Sequence, residues 1–175
     1  HKVYNSGSKL PTKQLYEGWA NSYERDLVRS GYVTPVRCAQ AISRNYPNKA
    51  PSILDLGCGT GLSGTHLLNE GFNLLDGCDF SAEMLHLARA KNIYNNLYHD
   101  DINNTKLKFQ NKYDVVSAVG VISPNHGKPE TIDLALSFLR KTGIFVFSLN
   151  DYALADIKYS RKIDDLRKRV HVHFV

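Results

Sequence analysis

The most constraining feature of this chain is a short apolar segment that ends in an acid and leads directly into three alternating glycines, Ile53-Leu54-Asp55-Leu56-Gly57-Cys58-Gly59-Thr60-Gly61. The apolar residues predict a buried strand, and the pattern from Leu62 to Leu68 predicts a helix immediately after the glycines. Glycines allow a ligand to approach the backbone because no Cβ stands in the way, and the first N–H groups of a helix face such a ligand. The segment therefore predicts a strand–turn–helix unit that binds a nucleotide-like molecule.

Strands and helices alternate through the rest of the chain. Short apolar runs predict strands at 52–56, 73–78, 97–99, 113–119 and 144–149, and weakly at 171–175. Helical spacing predicts helices between them, one of them at 129–140, and a polar helix at 156–168; Ser81 can cap the helix after the second strand. This alternation predicts an α/β fold with a doubly wound, mostly parallel Rossmann-like sheet, whose ligands bind beyond the carboxyl ends of the strands.

Length and composition favour one globular domain and argue against several classes of protein. The chain has 175 residues and a formal net charge of +5 without a polybasic tract, so a nucleic-acid partner is not expected. Cys38, Cys58 and Cys78 have the spacing of neither a metal knuckle nor a redox pair, which predicts reduced thiols, no metal site and a cytoplasmic protein. No apolar run reaches the roughly 18 residues that cross a bilayer.

An acid ends the second predicted strand. Asp79 stands at about the distance from the glycines at which a carboxylate accepts hydrogen bonds from ribose hydroxyls. Phe80 and Met84 follow it and can pack on a purine. The alternative interpretation of Asp79 is an ordinary strand-end cap for the next helix.

Two adjacent acids, Asp100 and Asp101, end the third predicted strand. A carboxylate at this place can accept a hydrogen bond from the exocyclic amine of adenine, while the backbone N–H of Ile102 donates to a ring nitrogen. Which of the two acids faces the ligand is left open by the sequence.

The glycine segment can be aligned in two registers that favour different ligands. As Gly59-x-Gly61-x-x-Gly64 it matches the dinucleotide fingerprint, which would indicate a nicotinamide cofactor and an oxidoreductase. As Asp55-x-Gly57-x-Gly59-x-Gly61 it puts an acid at the tip of the strand, which attracts a ligand with a positive amino group and repels a pyrophosphate. The second register favours a nucleoside that carries an amino acid.

Together these segments resemble the class I S-adenosylmethionine-dependent methyltransferases. The resemblance rests on 53–61, on Gly77-Cys78-Asp79-Phe80-Ser81, on Asp100-Asp101-Ile102 and on Tyr113-Asp114-Val115-Val116. The segment Tyr16-Glu17-Gly18-Trp19-Ala20-Asn21-Ser22-Tyr23-Glu24 also resembles the tyrosine-containing lid helix of many small-molecule members. The order of the motifs is most similar to that of the Williams–Beuren-region methyltransferase-like proteins.

The resemblance implies a role for each matching residue toward S-adenosylmethionine and its product S-adenosylhomocysteine (SAH). It implies that the methionine part is held by Asp55, Gly57, Gly59 and Gly61. The adenosine part would be held by Asp79, Phe80, Met84, Asp101 and Ile102. The cleft would be covered or lined by Tyr16, Trp19, Tyr23 and Val119. His126 is the candidate catalytic base, because the loop beyond the fourth strand faces the methyl group in this fold.

The implied function is methyl transfer to a small-molecule acceptor by alignment in a closed cleft. The implied organisation is a lid segment and helix at 1–34, followed by a single domain at 35–175.

The chain departs from the family at two places. Its turn Lys141-Thr142-Gly143 stands where many members have Pro-Gly-Gly, and the 25 residues after Asn150 indicate shortened or missing C-terminal strands. An uncovered sheet edge would favour self-association. The alternative function is a non-catalytic cofactor-binding or assembly module of the same fold.

Overall fold

The computed structural model describes residues 22–47 and 50–169. Two sequence-based predictions lie outside the described residues: the part of the lid segment that contains Tyr16 and Trp19, and the weak strand at 171–175. None of the helices in the two described stretches has the length and apolar character needed to cross a membrane.

Five strands form one sheet at the centre of the described chain. The strands are β1 Ile53–Leu56, β2 Leu75–Asp79, β3 Asn96–His99, β4 Tyr113–Ala118 and β5 Leu139–Phe147. The helices are α1 Tyr23–Arg29, α2 Thr34–Asn45, α3 Leu62–Asn69, α4 Ala82–Ala90, α5 Thr131–Phe138, α6 Asp151–Ala155 and α7 Ile157–Arg169. Neighbouring strands are parallel, in the order β3-β2-β1-β4-β5. This architecture confirms the predicted doubly wound α/β fold, and the strand order reverses beside β1.

The central strand β1 is buried on both faces, because its successive side chains point to opposite helical layers. Leu54 and Leu56 pack in a cluster that includes Ile132 from α5 and Tyr159 from α7. Ile53 packs in a second cluster, which contains residues of α2 and α3. The continuous apolar run in the sequence is therefore explained by two cores, one on each side of the sheet.

Strand β5 begins earlier than the sequence predicts. The sequence predicts a helix at 129–140, whereas strand pairing already begins at Leu139, whose partner is Tyr113. The next pair in this ladder joins Val115 to Ile144, so the intervening residues of β5 bulge out of the sheet. Helical spacing in the sequence cannot reveal this start, because it depends on the register with β4.

Strand β5 is also an edge of the sheet, since within the described residues it pairs with β4 alone. Its side chains from Ile144 to Phe147 are half-buried. Self-association through this edge stays a prediction from the sequence.

The carboxyl end of β1 is held by a buried carboxylate. Asp55 has no exposed surface and accepts hydrogen bonds from the hydroxyls of Ser63 at 2.6 Å, Tyr94 at 2.7 Å and Ser117 at 2.9 Å. Because Ser63 lies in α3, Tyr94 precedes β3 and Ser117 lies in β4, one side chain joins three parts of the fold to β1. Burial raises the pKa of Asp55, and the three hydroxyls oppose this rise because they stabilise the ionised carboxylate.

We expect Tyr94→Phe to lower the free energy of unfolding by about 2 kcal/mol, because a hydrogen bond to a buried carboxylate is lost while the ring is kept. Urea denaturation measures this change. Because its pKa is raised, Asp55 keeps its proton to a higher pH in the folded protein than in the unfolded chain. Tyr94→Phe removes a donor to the ionised carboxylate and therefore raises the pKa of folded Asp55 further. The destabilisation should therefore grow as the pH rises through this pKa.

Tyr46→Phe is the matched control. Tyr46 donates its hydroxyl to the neutral backbone carbonyl of Asp114 at 3.1 Å, so its loss should cost only about 0.5–1 kcal/mol. Equal losses in the two variants, or a loss in Tyr94→Phe that does not change with pH, would contradict the anchoring role of Asp55.

Candidate active site

A cavity of about 360 Å³ lies beyond the carboxyl ends of the strands. Its wall contains Gly57 after β1, Asp79 at the end of β2, Asp101 after β3 and Val119 after β4. This is the position beside β1 where a doubly wound sheet binds its ligands, because the chain leaves neighbouring strands toward opposite layers there.

Most of the site residues that the sequence predicts lie around this cavity. Its wall includes Tyr23, Gly57, Gly59, Asp79, Phe80, Met84, Asp101, Ile102, Val119 and His126. Two predicted residues, Asp55 and Gly61, are not among the described residues of the wall. Tyr16 and Trp19 lie outside the described residues.

Asp55 and Gly61 are structural parts of the glycine segment. The sequence predicts that Asp55 meets a ligand amino group, whereas in the structure its carboxylate accepts hydrogen bonds from three hydroxyls in the interior. Gly61 has φ +85° as the N-cap of α3, and a Cβ added to it would lie 3.2 Å from Cε2 of Tyr94. The conformation and the close packing both require glycine there.

The wall also contains five residues that the sequence does not predict: Asn103, Gly120, Val121, Asn125 and Gly127. Asp100 lies in the wall as well, and the sequence leaves open whether it or Asp101 faces the ligand. All of them lie in the loops after β3 and β4. Their position directly after predicted strands is the signal that could identify them, together with the Asn-x-Gly turn at 125–127, where Asn125 has φ +70°.

The backbone N–H groups of Gly57, Cys58 and Gly59 form hydrogen bonds within the protein. Gly57 and Cys58 both donate to the carbonyl of Cys78, at 2.8 and 2.9 Å. Gly59 donates to Oδ2 of Asp79 at 2.8 Å. A pyrophosphate would need such donors for itself, and it would also be repelled by the adjacent carboxylate. The loop therefore favours the register that indicates an amino-acid-bearing nucleoside over the dinucleotide register.

Asp79 combines an anchoring contact with exposure to the cavity. Its Oδ1 accepts from the N–H of Ser81 at 2.9 Å, and its Oδ2 accepts from Gly59. Burial raises the pKa of Asp79, while these N–H donors oppose the rise. Each carboxylate oxygen has a further lone pair, so Asp79 can still accept hydrogen bonds from ligand hydroxyls.

The two adjacent acids after β3 have different surroundings. Asp100 accepts from the hydroxyl of Thr105 and, at 3.1 Å, from the N–H of Lys106, so its side chain organises the following turn. Asp101 is exposed, and its Oδ1 accepts from the N–H of Asn103 at 2.9 Å. Asp101 is therefore better placed than Asp100 to offer a carboxylate oxygen to a ligand.

His126 lies in the loop after β4 with a defined ring orientation. Its Nδ1 is 3.0 Å from the hydroxyl of Ser123 and 3.3 Å from the carbonyl of Pro124. Because a carbonyl only accepts, this contact favours the neutral ring with the proton on Nδ1, which makes Nε2 the basic nitrogen. Burial lowers the pKa of His126 below its usual 6.5.

Helix α1 contributes Tyr23 to the cavity wall, and burial raises the pKa of this phenol, so it stays protonated. The next residue, Glu24, accepts hydrogen bonds from the hydroxyl of Thr60 and the ammonium of Lys91, both at 2.5 Å. Glu24 thereby joins α1 to the glycine loop. Among residues 22–47 and 50–169, no cluster of histidines, cysteines and acids is suited to hold a metal ion.

Comparisons with known proteins agree with this geometry. A family model described as a methyltransferase domain matches residues 32–175. Human methyltransferase-like protein 27 is 32% identical over 126 residues, which are 70% of this chain and 50% of that protein. The dTDP-3-amino-3,6-dideoxy-alpha-D-glucopyranose N,N-dimethyltransferase of Streptomyces fradiae is 36% identical over 86 residues, 47% of this chain and 33% of that protein. The chain thus spans half or less of the length of these curated relatives.

A solved structure shares the fold. The complex of DhpI with SAH matches with a TM-score of 0.60 and 22% identity, covering 78% of this chain and 66% of DhpI. The family match includes all five strands and confirms the resemblance based on the glycine segment and the acids that follow β2 and β3. The chain therefore belongs to the methyltransferase domain family.

Proposed function

We propose that this chain is the catalytic domain of a cytoplasmic S-adenosylmethionine-dependent methyltransferase that acts on a small-molecule acceptor. The observation that carries the proposal is the cavity of about 360 Å³, whose wall combines the glycine loop, Asp79 at the end of β2, the acids after β3 and His126. An adenosine conjugate with an amino-acid tail suits this wall, because the acids can meet hydroxyl and amine groups. The committed N–H groups of the loop offer little to a phosphate.

The adenosine part is assigned to the β2 and β3 ends of the cavity. Asp79 would accept from the ribose hydroxyls through the remaining lone pairs of its carboxylate. Asp101 would accept from the exocyclic amine of adenine, and the N–H of Ile102 would donate to a ring nitrogen. Phe80 and Met84 would pack against the purine, since both lie in the cavity wall.

The methionine part is assigned to the glycine loop. Gly57 has φ +74°, and a Cβ added there would overlap the side chain of Val121, so the loop lies directly against the segment after β4. Gly59 leaves open space, because an added Cβ would meet no atom within 4 Å. Tyr23 in α1 and Val119 after β4 would line the cofactor, while Asp55 would act only by holding the end of β1.

S-adenosylmethionine supplies a methyl group on a sulfonium, which is already a strong electrophile. The residues of the chain therefore have to align the acceptor, exclude water and accept a proton. His126 suits the last task because its lowered pKa keeps the ring neutral near pH 7, where Nε2 can take a proton. As the pH falls through that pKa the ring becomes protonated and the base is lost.

The charges of the cavity favour an acceptor whose methyl-accepting group is neutral or an amine over one in which that group is anionic. Among the described residues of the wall, Asp79, Asp100 and Asp101 carry carboxylates, and no lysine or arginine is present. The relative from Streptomyces fradiae supports an amino acceptor, because its name specifies dimethylation at nitrogen on an amino sugar.

Calorimetric titration and methyl transfer test the proposal. SAH should bind with micromolar affinity and NADH should not bind, whereas binding of NADH alone would contradict the proposed cofactor. Transfer of a labelled methyl group from S-adenosylmethionine to members of a panel of small amines and alcohols should then be detected. Binding of SAH without transfer to any metabolite in the panel or in a cell extract would favour the non-catalytic module.

We expect Asp79→Asn to weaken binding of SAH by about 1–3 kcal/mol, because an amide replaces the carboxylate that accepts from the ribose. Isothermal titration calorimetry measures the change in affinity. The control is an SAH analogue without the two ribose hydroxyls, because Asp79 also holds the N–H of Gly59. The variant should affect the analogue much less than SAH, and an equal effect on both ligands would contradict the ribose contact.

We expect the pKa of His126 to be about 0.5 lower in the complex with S-adenosylmethionine than in the complex with SAH, because a nearby sulfonium disfavours the imidazolium. Titration of the imidazole proton signals by nuclear magnetic resonance measures both values, and His126→Gln identifies the signal. The other histidines provide the internal reference. Identical pKa values of His126 in the two complexes would contradict its position beside the methyl group.

A further inference from the structure

The loop after β4 is joined to the loop after β3 by one side-chain amide. Asn103 donates from Nδ2 to the carbonyl of His126 at 2.8 Å and accepts at Oδ1 from the N–H of Lys128 at 3.0 Å. Both ends of the amide are therefore paired with the backbone of the segment that carries His126. This two-sided contact fixes the segment in position and in orientation, since a single hydrogen bond would allow it to rotate.

The same segment is also closed on itself. The N–H of Gly127 donates to the carbonyl of Val121 at 2.8 Å, and the N–H of His126 donates to the carbonyl of Ser123 at 3.0 Å. From α7, the hydroxyl of Tyr159 donates to the carbonyl of Gly127 at 3.1 Å. The loop is thus closed on itself and is held by two residues outside it, Asn103 and Tyr159.

Asn103 also contacts the acid that is assigned to adenine. Its backbone N–H donates to Oδ1 of Asp101 at 2.9 Å, and its side chain reaches the backbone of His126. A continuous path of two hydrogen-bonded contacts therefore runs from Asp101 to the loop of the candidate base. All three residues lie in the wall of the same cavity.

We propose that Asn103 is a positioning residue, which sets the place of His126 in the cavity and couples it to the loop that binds the adenosine. The inference rests on the proposed function, in which His126 accepts a proton. The titratable side chains that share the cavity wall with His126 are Tyr23, Asp79, Asp100 and Asp101. Because Asn103 carries no charge, its removal acts on the imidazole through the position of the loop and not through a change in the charges around it.

The test compares three variants of the whole chain. Asn103→Ala removes both side-chain contacts, and Asn103→Asp keeps the acceptor for Lys128 but loses the donor to His126. Asn104→Ala is the matched control, because Asn104 is the adjacent exposed asparagine and makes its described contact through the backbone, from its N–H to the carbonyl of Asp101. Asn103 is exposed as well, so its truncation leaves no buried cavity, and thermal melting verifies that each variant is folded.

Amide hydrogen exchange is the first measurement. In Asn103→Ala, exchange at His126, Gly127 and Lys128 should be about tenfold faster than in the unmodified chain, because the hydrogen bonds that hold the loop are lost. In Asn103→Asp, exchange should be faster at His126 and Gly127, while the N–H of Lys128 stays protected. Asn104→Ala should leave all three rates unchanged.

The titration of His126 is the second measurement, and a merely structural asparagine would not alter it. In Asn103→Ala, the pKa of His126 should rise toward its usual 6.5, because a released loop lets water reach an imidazole whose pKa burial lowers. Asn104→Ala should not change this pKa.

The inference is overturned if Asn103→Ala matches Asn104→Ala in the exchange rates and in the pKa of His126. Calorimetry with SAH on the unmodified chain keeps this failure distinct from failure of the proposed function. A chain that binds SAH normally while Asn103 has no effect on His126 refutes the positioning role alone. A chain that does not bind SAH refutes the proposed cofactor, whatever Asn103 does.

Discussion

The fold around the cavity depends on the buried carboxylate of Asp55. Three hydroxyls donate to it: one from α3, one from β4 and one from the segment that precedes β3. The end of the central strand is therefore joined to three other parts of the fold. Burying a carboxylate is costly unless it is hydrogen-bonded, and removing one donor leaves part of that cost uncompensated. The position of the glycine loop, which begins two residues later, follows from this anchor.

The chemistry of the site depends on the hydrogen-bond partners of the glycine loop. The N–H groups of Gly57, Cys58 and Gly59 bind Cys78 and Asp79 within the protein, so these three donors are not available to an anion, and carboxylates line the cavity. An adenosine conjugate with a positive amino-acid tail is complementary to such a wall, and a pyrophosphate is not. His126, on the loop after β4, lies in the wall of the same cavity.

Much of the fold could be predicted from local patterns, because strands buried on both faces read as continuous apolar runs and capping residues mark the helices. Ser81, for example, caps α4 as predicted, accepting from the N–H of Met84 at 3.3 Å. The start of β5 could not be predicted, because it is set by a register shift against β4. Most residues of the candidate site were accessible from the sequence, because they directly follow strand ends.

The acid–glycine segment and the acids after β2 and β3 specify a nucleoside-binding α/β domain, since the residues that act together there are close along the chain. The role of each side chain, by contrast, is decided by the tertiary structure, because it depends on partners that are distant in sequence. Asp55 accepts a hydrogen bond from Ser117, which is 62 positions away, and its carboxylate is fully buried in the interior. Asn103 likewise contacts His126 only because the loops after β3 and β4 lie at the same edge of the sheet. Strand order depends on packing and not on any local sequence pattern.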